Sequence, residues 1–235
     1  IITCVLNIIL DLLFVVAFGM GVTGVAAATV TSQVISALLV VGMLLKTEEI
    51  YVLKLREIRF DQRMLSLVLR IGIPAGLESV MYNISNIVIQ VFVNNLGTDT
   101  VAAWGTLGKI DAIFWMVINA FAISITTFVG QNYGAGKYHR MRKSVRVCMT
   151  MSMVGAAALI AVMYGFAPWI YSLFTTDSAV IGHGVHMSRY LLPSYFIYVI
   201  IGILSGALRG TGKVLVPMIL TCGGVCSLRI LWLFT

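Results

Sequence analysis

Charge is scarce in this chain. Only 11% of its 235 residues are charged and 60% are hydrophobic, with a mean hydropathy of +1.00. A soluble globular domain is closer to a quarter charged, so this composition excludes a water-soluble fold and requires a membrane-embedded one. Cysteine is equally thin. Cys4, Cys148, Cys222 and Cys226 all fall in apolar segments, and the last two are four apart rather than a CxxC. That pattern offers neither a disulfide framework nor a metal centre. His183 and His186 share a short turn that lacks a carboxylate, which does not make a metal site. GAGK (134–137) and RGTGK (209–213) lack phosphate-loop spacing, with Tyr138 and Val214 in the Ser/Thr slot. No nucleophile–base pair is present, so nothing points to an enzyme. No signal peptide is expected before the first apolar run. Both ends of the sequence stop inside apolar runs, which leads us to expect a fragment of a longer protein.

Long hydrophobic runs are abundant. Seven segments of about 20 residues suit membrane spans: 1–18, 24–45, 73–96, 100–130, 145–173, 185–208 and 214–235. GMGVTG (19–24) reads as a tight hairpin. Residues 46–72 read as a charged amphipathic linker ending in an interfacial helix. The domain expectation is therefore 1–45, the linker 46–72, and 73–235. Pro193 is expected to kink the sixth span. The net charge of +7 follows membrane topology, not nucleic acid. Thirteen of the sixteen Lys and Arg lie in three connections on one side of seven antiparallel spans. The positive-inside rule makes those connections cytoplasmic. The chain also echoes itself: ITCVLNIILDLLF (2–14) resembles LTCGGVCSLRILW (220–232), placing Arg229 opposite Asp11. Internal repeats of this kind are common in secondary transporters, and the offset leaves room for six helices per repeat.

Asp11 is the most expensive residue in the first run. A carboxylate at membrane depth costs about 2.5–3.5 kcal/mol on insertion scales, and such residues mark ion or substrate pathways. Asn7 lies one turn away on the same face. Thr29 is as far from the hairpin at Met20 as Asp11, so the two should be level on adjacent helices. Carboxylate, amide and hydroxyl oxygens together suit Na⁺, and the carboxylate alone suits H⁺. The alternative is an Asp–Thr hydrogen bond that serves only to hold two helices together.

The third segment carries Ser79, Asn83, Asn86, Gln90 and Asn94 on one helical face, with Glu78 and Tyr82 beside them. Amides in hydrocarbon need partners, so this stripe lines either a helix–helix contact or a hydrated cavity. The fourth segment adds Asp111, Trp115 and Asn119 on one face. The sixth adds Tyr190, Ser194 and Tyr198.

These stretches resemble a known family. NIILDLLF, GVTGVAAATVTSQ, RIGIPAGLESVMYNISNIVIQVFVNNLG, AAWGTLGKID, FVGQNYGAGKYHRMRK and SGALRGTGKVLVPM occur in the order found in multidrug and toxic compound extrusion (MATE) transporters, closest to their DinF- and MepA-like bacterial branch. The resemblance implies an all-α, polytopic transmembrane helix bundle, with about seven spans of a twelve-helix, two-lobe transporter. It implies that residues 1–45 are the last two helices of the amino-terminal lobe and 73–235 five helices of the carboxy-terminal lobe. The family's cation site uses an Asn and an Asp four apart, then a Thr, which fall on Asn7, Asp11 and Thr29. Its NorM branch has a functional Glu on the seventh helix. Glu78 is on the equivalent helix here, only four residues after Pro74.

The expected function is antiport: organic, often cationic, compounds leave in exchange for H⁺ or Na⁺. The expected substrate cavity comprises Glu78, Tyr82, Asn83, Asn86, Gln90, Asp111, Trp115, Asn119 and Tyr198. No cofactor beyond the coupling ion is expected. The partners would be small organic substrates and the bilayer of the cytoplasmic (inner) membrane, with no nucleic acid and a monomeric intact protein. Two alternatives stand beside this reading: a flippase for lipid-linked precursors, which would need several cations in its cavity, and a non-transporting membrane scaffold.

Overall fold

A computed structural model describes residues 2–49, 52–227, 229 and 231. Every regular element among them is helical. The chain divides into two compact units, Ile1–Gln62 and Arg63–Thr235. That boundary falls inside the expected linker.

In the first unit, α1 (Ile2–Leu12) runs into a π-helical turn at Leu13–Ala17. The chain reverses through Phe18–Met20, and α2 (Gly21–Lys46) returns against α1. Lys46 ends α2 as a cation at a helix C-terminus, where the dipole favours it. After an extended stretch and one 3₁₀ turn at Leu55–Glu57, where Lys54 pairs with Glu57 at 3.1 Å, the second unit begins.

The second unit contains α3 (Gln62–Asn94), α4 (Thr98–Gly134), α5 (Tyr138–Gly165), the short α6 (Ala167–Ser172), α7 (Ser178–Gly210) and α8 (Leu215–Leu220), which continues as π-helix through Thr221–Ser227. The linker does not end in a separate interfacial helix. Residues 62–70 share the helical period of the following span, and α3 runs unbroken through Pro74. Membrane helices tolerate an internal proline. α7 likewise runs through Pro193, and its start is capped by Asp177, whose carboxylate accepts from the Ala179 amide at 2.8 Å.

Among the described residues, five helices are long and apolar enough to cross a membrane: α2, α3, α4, α5 and α7. The two terminal segments expected to span are shorter as described, Ile2–Ala17 and Leu215–Gly224. Residues 232–235, the end of the seventh expected span, and the Cys226 side chain lie outside the described residues.

The core sits where α4, α5 and α7 meet. Leu107, Ile110, Phe114, Ile118, Ile125 and Val129 recur at three, four or seven residues along α4 and face Leu192, Tyr195, Val199 and Ile203 of α7. The contact between the C-terminal parts of α4 and α7 is closer still. Thr126 donates its hydroxyl to the carbonyls of both Ala122 (2.7 Å) and Gly206 (2.9 Å). A Cβ on Gly206 would lie 2.8 Å from the Ala122 oxygen, and one on Gly210 only 2.5 Å from the Thr126 oxygen. Gly206 and Gly210 are four apart, so α7 presents a GxxxG surface that lets two backbones meet. Outward-facing apolar residues such as Val22 and Met116 are exposed, as a lipid-facing surface requires.

Candidate functional site

In the first unit, α1 and α2 enclose a cavity of about 450 Å³ lined by Thr3, Cys4, Asn7, Thr29, Ser32 and Gln33, among others. The structure therefore brings Asn7 and Thr29 to one polar space. Asp11 is half-buried one turn beyond Asn7 and is not among the residues lining that cavity. No Asp11–Thr29 hydrogen bond occurs among the described residues. The Thr29 hydroxyl donates instead to its own helix, to the Val25 carbonyl at 2.9 Å. The equal-depth expectation assumed α-helical geometry as far as the hairpin. A π turn at Leu13–Ala17 follows just after Asp11, where that geometry does not hold. Asp11 Oδ1, Asn7 Nδ2 and Ser32 Oγ are each buried and have no hydrogen-bond partner among the described residues. Buried polar atoms are nearly always satisfied, so these three groups on one helix pair call for partners.

The second unit holds two adjoining cavities. One, of about 490 Å³, is lined by Glu78, Tyr82, Asn86, Trp115, Asn119, Tyr198 and Arg209 among others. The other, of about 310 Å³, shares Tyr82, Asn86, Trp115 and Tyr198 and adds Asp111, Ser194, Tyr195 and Arg229. Seven of the nine expected cavity residues line one or both. Asn83 and Gln90 are not among them. Asn83 donates to the Ser79 carbonyl at 2.8 Å, and Gln90 donates to Asn94 at 2.9 Å. Each amide thus donates one hydrogen bond within its own helix.

Each acidic residue of these cavities has a named partner. Glu78 pairs with Arg209 at 2.7 Å, tying α3 to α7. Asp111 is buried and accepts a short hydrogen bond from Tyr195 at Oδ2, while its Oδ1 has no partner among the described residues. Phe114, Trp115, Tyr195 and Tyr198 surround that carboxylate. Trp115 meets Tyr198 edge-on with centroids 5.5 Å apart, and Phe114 lies 4.9 Å from Tyr195. Lys109 points elsewhere, its ammonium 5.9 Å from the centre of the Phe174 ring, as i and i+2 positions on a helix require. Arg229 donates to Asn86 at 3.1 Å.

Tyr195, Arg209 and Arg229 also line these cavities, where sequence reasoning had not placed them. Arg209 had been assigned to the cytoplasmic loop beside GTGK, but α7 continues through it. Tyr195 belongs to the buried series Ser188, Leu192, Tyr195, Val199, Ile203. A tyrosine on a buried face needs a partner for its hydroxyl, and Asp111 on the facing helix was the available carboxylate. Removing that hydroxyl leaves Asp111 with both oxygens unmet. Tyr195→Phe is therefore expected to lower stability by about 1–3 kcal/mol. Asp111→Asn retains an acceptor for Tyr195 and should cost less. Thermal unfolding midpoints of the purified variants check the order.

The family model MatE matches residues 74–235. The chain belongs to the MATE family. The MATE chain is 27% identical over 237 residues to the probable multidrug resistance protein YoeA of Bacillus subtilis, covering 98% of this chain and 51% of that protein. It is 23% identical over 242 residues to the multidrug export protein MepA of Staphylococcus saprophyticus, covering 97% and 53%. Among solved structures, an outward-facing multidrug resistance MATE family transporter of the MOP superfamily superposes with a TM-score of 0.85 at 25% identity, over 93% of this chain and 49% of that one. A MOP superfamily transporter from Pyrococcus furiosus shares the fold, with a TM-score of 0.91 at 23% identity, over 99% and 52%. The MATE chain spans about half the length of the curated relatives it matches. It is a multi-pass membrane protein, and its helical bundle is that of a MATE transporter.

Proposed function

We propose that this MATE chain works in a secondary active exporter that moves organic compounds out of the cell in exchange for inward H⁺ or Na⁺. The observation that carries the ion half is the buried, unpartnered Asp11 Oδ1 beside Asn7. A carboxylate there can take a proton directly, or hold Na⁺ with help from neighbouring amide and hydroxyl oxygens. Filling the site removes the penalty of the unmet charge, so the ion binds one arrangement of α1 and α2 better than another. That differential affinity is what allows an ion to shift a conformational equilibrium. The substrate half rests on the paired cavities of the second unit. Trp115, Tyr195 and Tyr198 supply flat apolar walls for an organic ring, and Asp111 supplies a buried acceptor. The basic connections face the cytoplasm in this reading, as the positive-inside rule requires.

The flippase reading draws support from Arg209 and Arg229, which both line the cavities. Arg209 is neutralised by Glu78, however, and Asp111 shares the smaller cavity with Arg229. The cavity charge is balanced, which favours the exporter. Reconstituted vesicles loaded with an organic cation dye, with pH and Na⁺ gradients imposed separately, test the proposal. Efflux is expected with one gradient and not in its absence. Efflux indifferent to both gradients would remove ion coupling from the proposal.

A further inference from the structure

A further cavity in the second unit plays no part in that site. It is a cleft of about 600 Å³ between α4 and α5. Its α4 wall includes Phe121 and Phe128, on the opposite side of that helix from Trp115 and Asn119, which are half a turn away by the 3.6-residue period. Its α5 wall descends from Arg140 and Lys143 to Val147 and Met151. The polarity changes along its length: two cations at the loop end, aromatic and aliphatic side chains below. Phe128, Val147 and Met151 are 44%, 47% and 56% exposed, so the cleft opens sideways and is not sealed in the core. Neither Arg140 nor Lys143 is paired with a carboxylate among the described residues. From Arg140 to Met151 the helix rises about 16 Å, close to one leaflet of a core about 30 Å thick.

We propose that this cleft binds an anionic phospholipid of the cytoplasmic leaflet, its phosphate between Arg140 and Lys143 and an acyl chain along Phe121, Phe128, Val147 and Met151. The inference rests on the orientation proposed above. Charge complementarity selects the occupant. Two unpaired cations at the membrane surface attract a headgroup with net negative charge, and basic pockets between helices on the cytoplasmic side hold such headgroups. The apolar lower half separates a lipid from a free phosphate, because only a lipid fills both halves. The cleft is also separate from the polar cavities, so its occupant would stay while substrates pass.

The test is photo-crosslinking of the purified protein in nanodiscs, with adducts mapped by mass spectrometry. Photoactivatable phosphatidylglycerol is expected to label the α4 and α5 peptides at least several-fold more than phosphatidylcholine bearing the same chain. Arg140→Gln with Lys143→Gln should lower that labelling about tenfold or more, at about 1 kcal/mol per cation near the surface. Arg56→Gln with Arg59→Gln should leave it unchanged. Val147→Trp, which obstructs the apolar half without touching a charge, should also lower it. That variant keeps the test decisive if the double charge variant fails to fold. Equal labelling by both lipids, or an unchanged signal in the Arg140/Lys143 and Val147 variants, would overturn the proposal. Displacement by soluble glycerol phosphate would overturn it in favour of a small-anion site. Labelling of His139→Cys from outside the cell would overturn the leaflet assignment alone, and so separates failure of the orientation from failure of the site.

Discussion

Asp11→Asn is expected to abolish ion-driven efflux while the protein still inserts and accumulates. The amide keeps the shape of the carboxylate and removes the only charge on α1. It can neither bind a proton nor neutralise Na⁺, so the gradient no longer distinguishes one conformation from another. One coupled charge supplies about 2.3 kcal/mol per 100 mV of membrane potential. Losing it should lower the steady-state gradient of a transported dye by about 50-fold at that potential. Dye accumulation in expressing cells, normalised to membrane protein level, measures this. Thr29→Ala is the discriminating companion. Its hydroxyl is already spent on the Val25 carbonyl, so its loss should change efflux far less than loss of Asp11. Wild-type efflux in Asp11→Asn would end the case for this site.

Gly210→Ala is expected to destabilise the second unit strongly. The added carbon would meet the Thr126 oxygen at 2.5 Å, the Val129 Cβ at 3.0 Å and the Gly130 nitrogen at 3.1 Å. Two of those three are backbone atoms of α4 and cannot rotate aside. The helices must part, and the bond from the Thr126 hydroxyl to the Gly206 carbonyl then lengthens or breaks. Overpacking costs about 1–3 kcal/mol, and a contact with backbone belongs at the upper end. For a domain of this size that is roughly 6–12 °C in the unfolding midpoint. Gly182→Ala lies on the same helix with nothing within 4 Å and should leave the midpoint nearly unmoved. Thermal unfolding of the two variants side by side gives the comparison. A Gly210→Ala midpoint matching that of Gly182→Ala would show that the helices have slack to yield.

Helix type and the membrane setting were legible because hydropathy and charge act over whole segments. Runs of about 20 apolar residues allow little else, and the aromatic and carboxylate positions on α4 followed from its 3.6-residue period. The parts that escaped were local. The π turn at Leu13–Ala17, just after Asp11, has no signature in an apolar sequence. The continuity of α3 through Pro74 escaped because composition changes at residue 73 while the helical period does not. Arg209 was hidden by its place next to a glycine-rich turn, where a cation reads as loop. Its pairing with Glu78 is a contact between helices that no spacing within one helix reveals. Asn83 and Gln90 were over-read for the converse reason: a polar stripe shows where partners are needed, not whether the helix itself supplies them.

The backbone of α3 stands off from the close-packed trio of α4, α5 and α7. Among the described residues, Glu78 ties it to Arg209 at the end of α7, and Asn86 ties it to Arg229, beyond the π-helical stretch at Thr221–Ser227. Within the trio, α4 and α7 are joined where their backbones approach at Gly206 and Gly210. The Glu78–Arg209 pair is a detachable clasp between the third helix and that trio. Glu78 and Asn86 both lie in the wall of the cavities. In the exporter proposed above, cargo competing for either would loosen the wall around itself, and the chamber would be unlocked from within by the thing it holds.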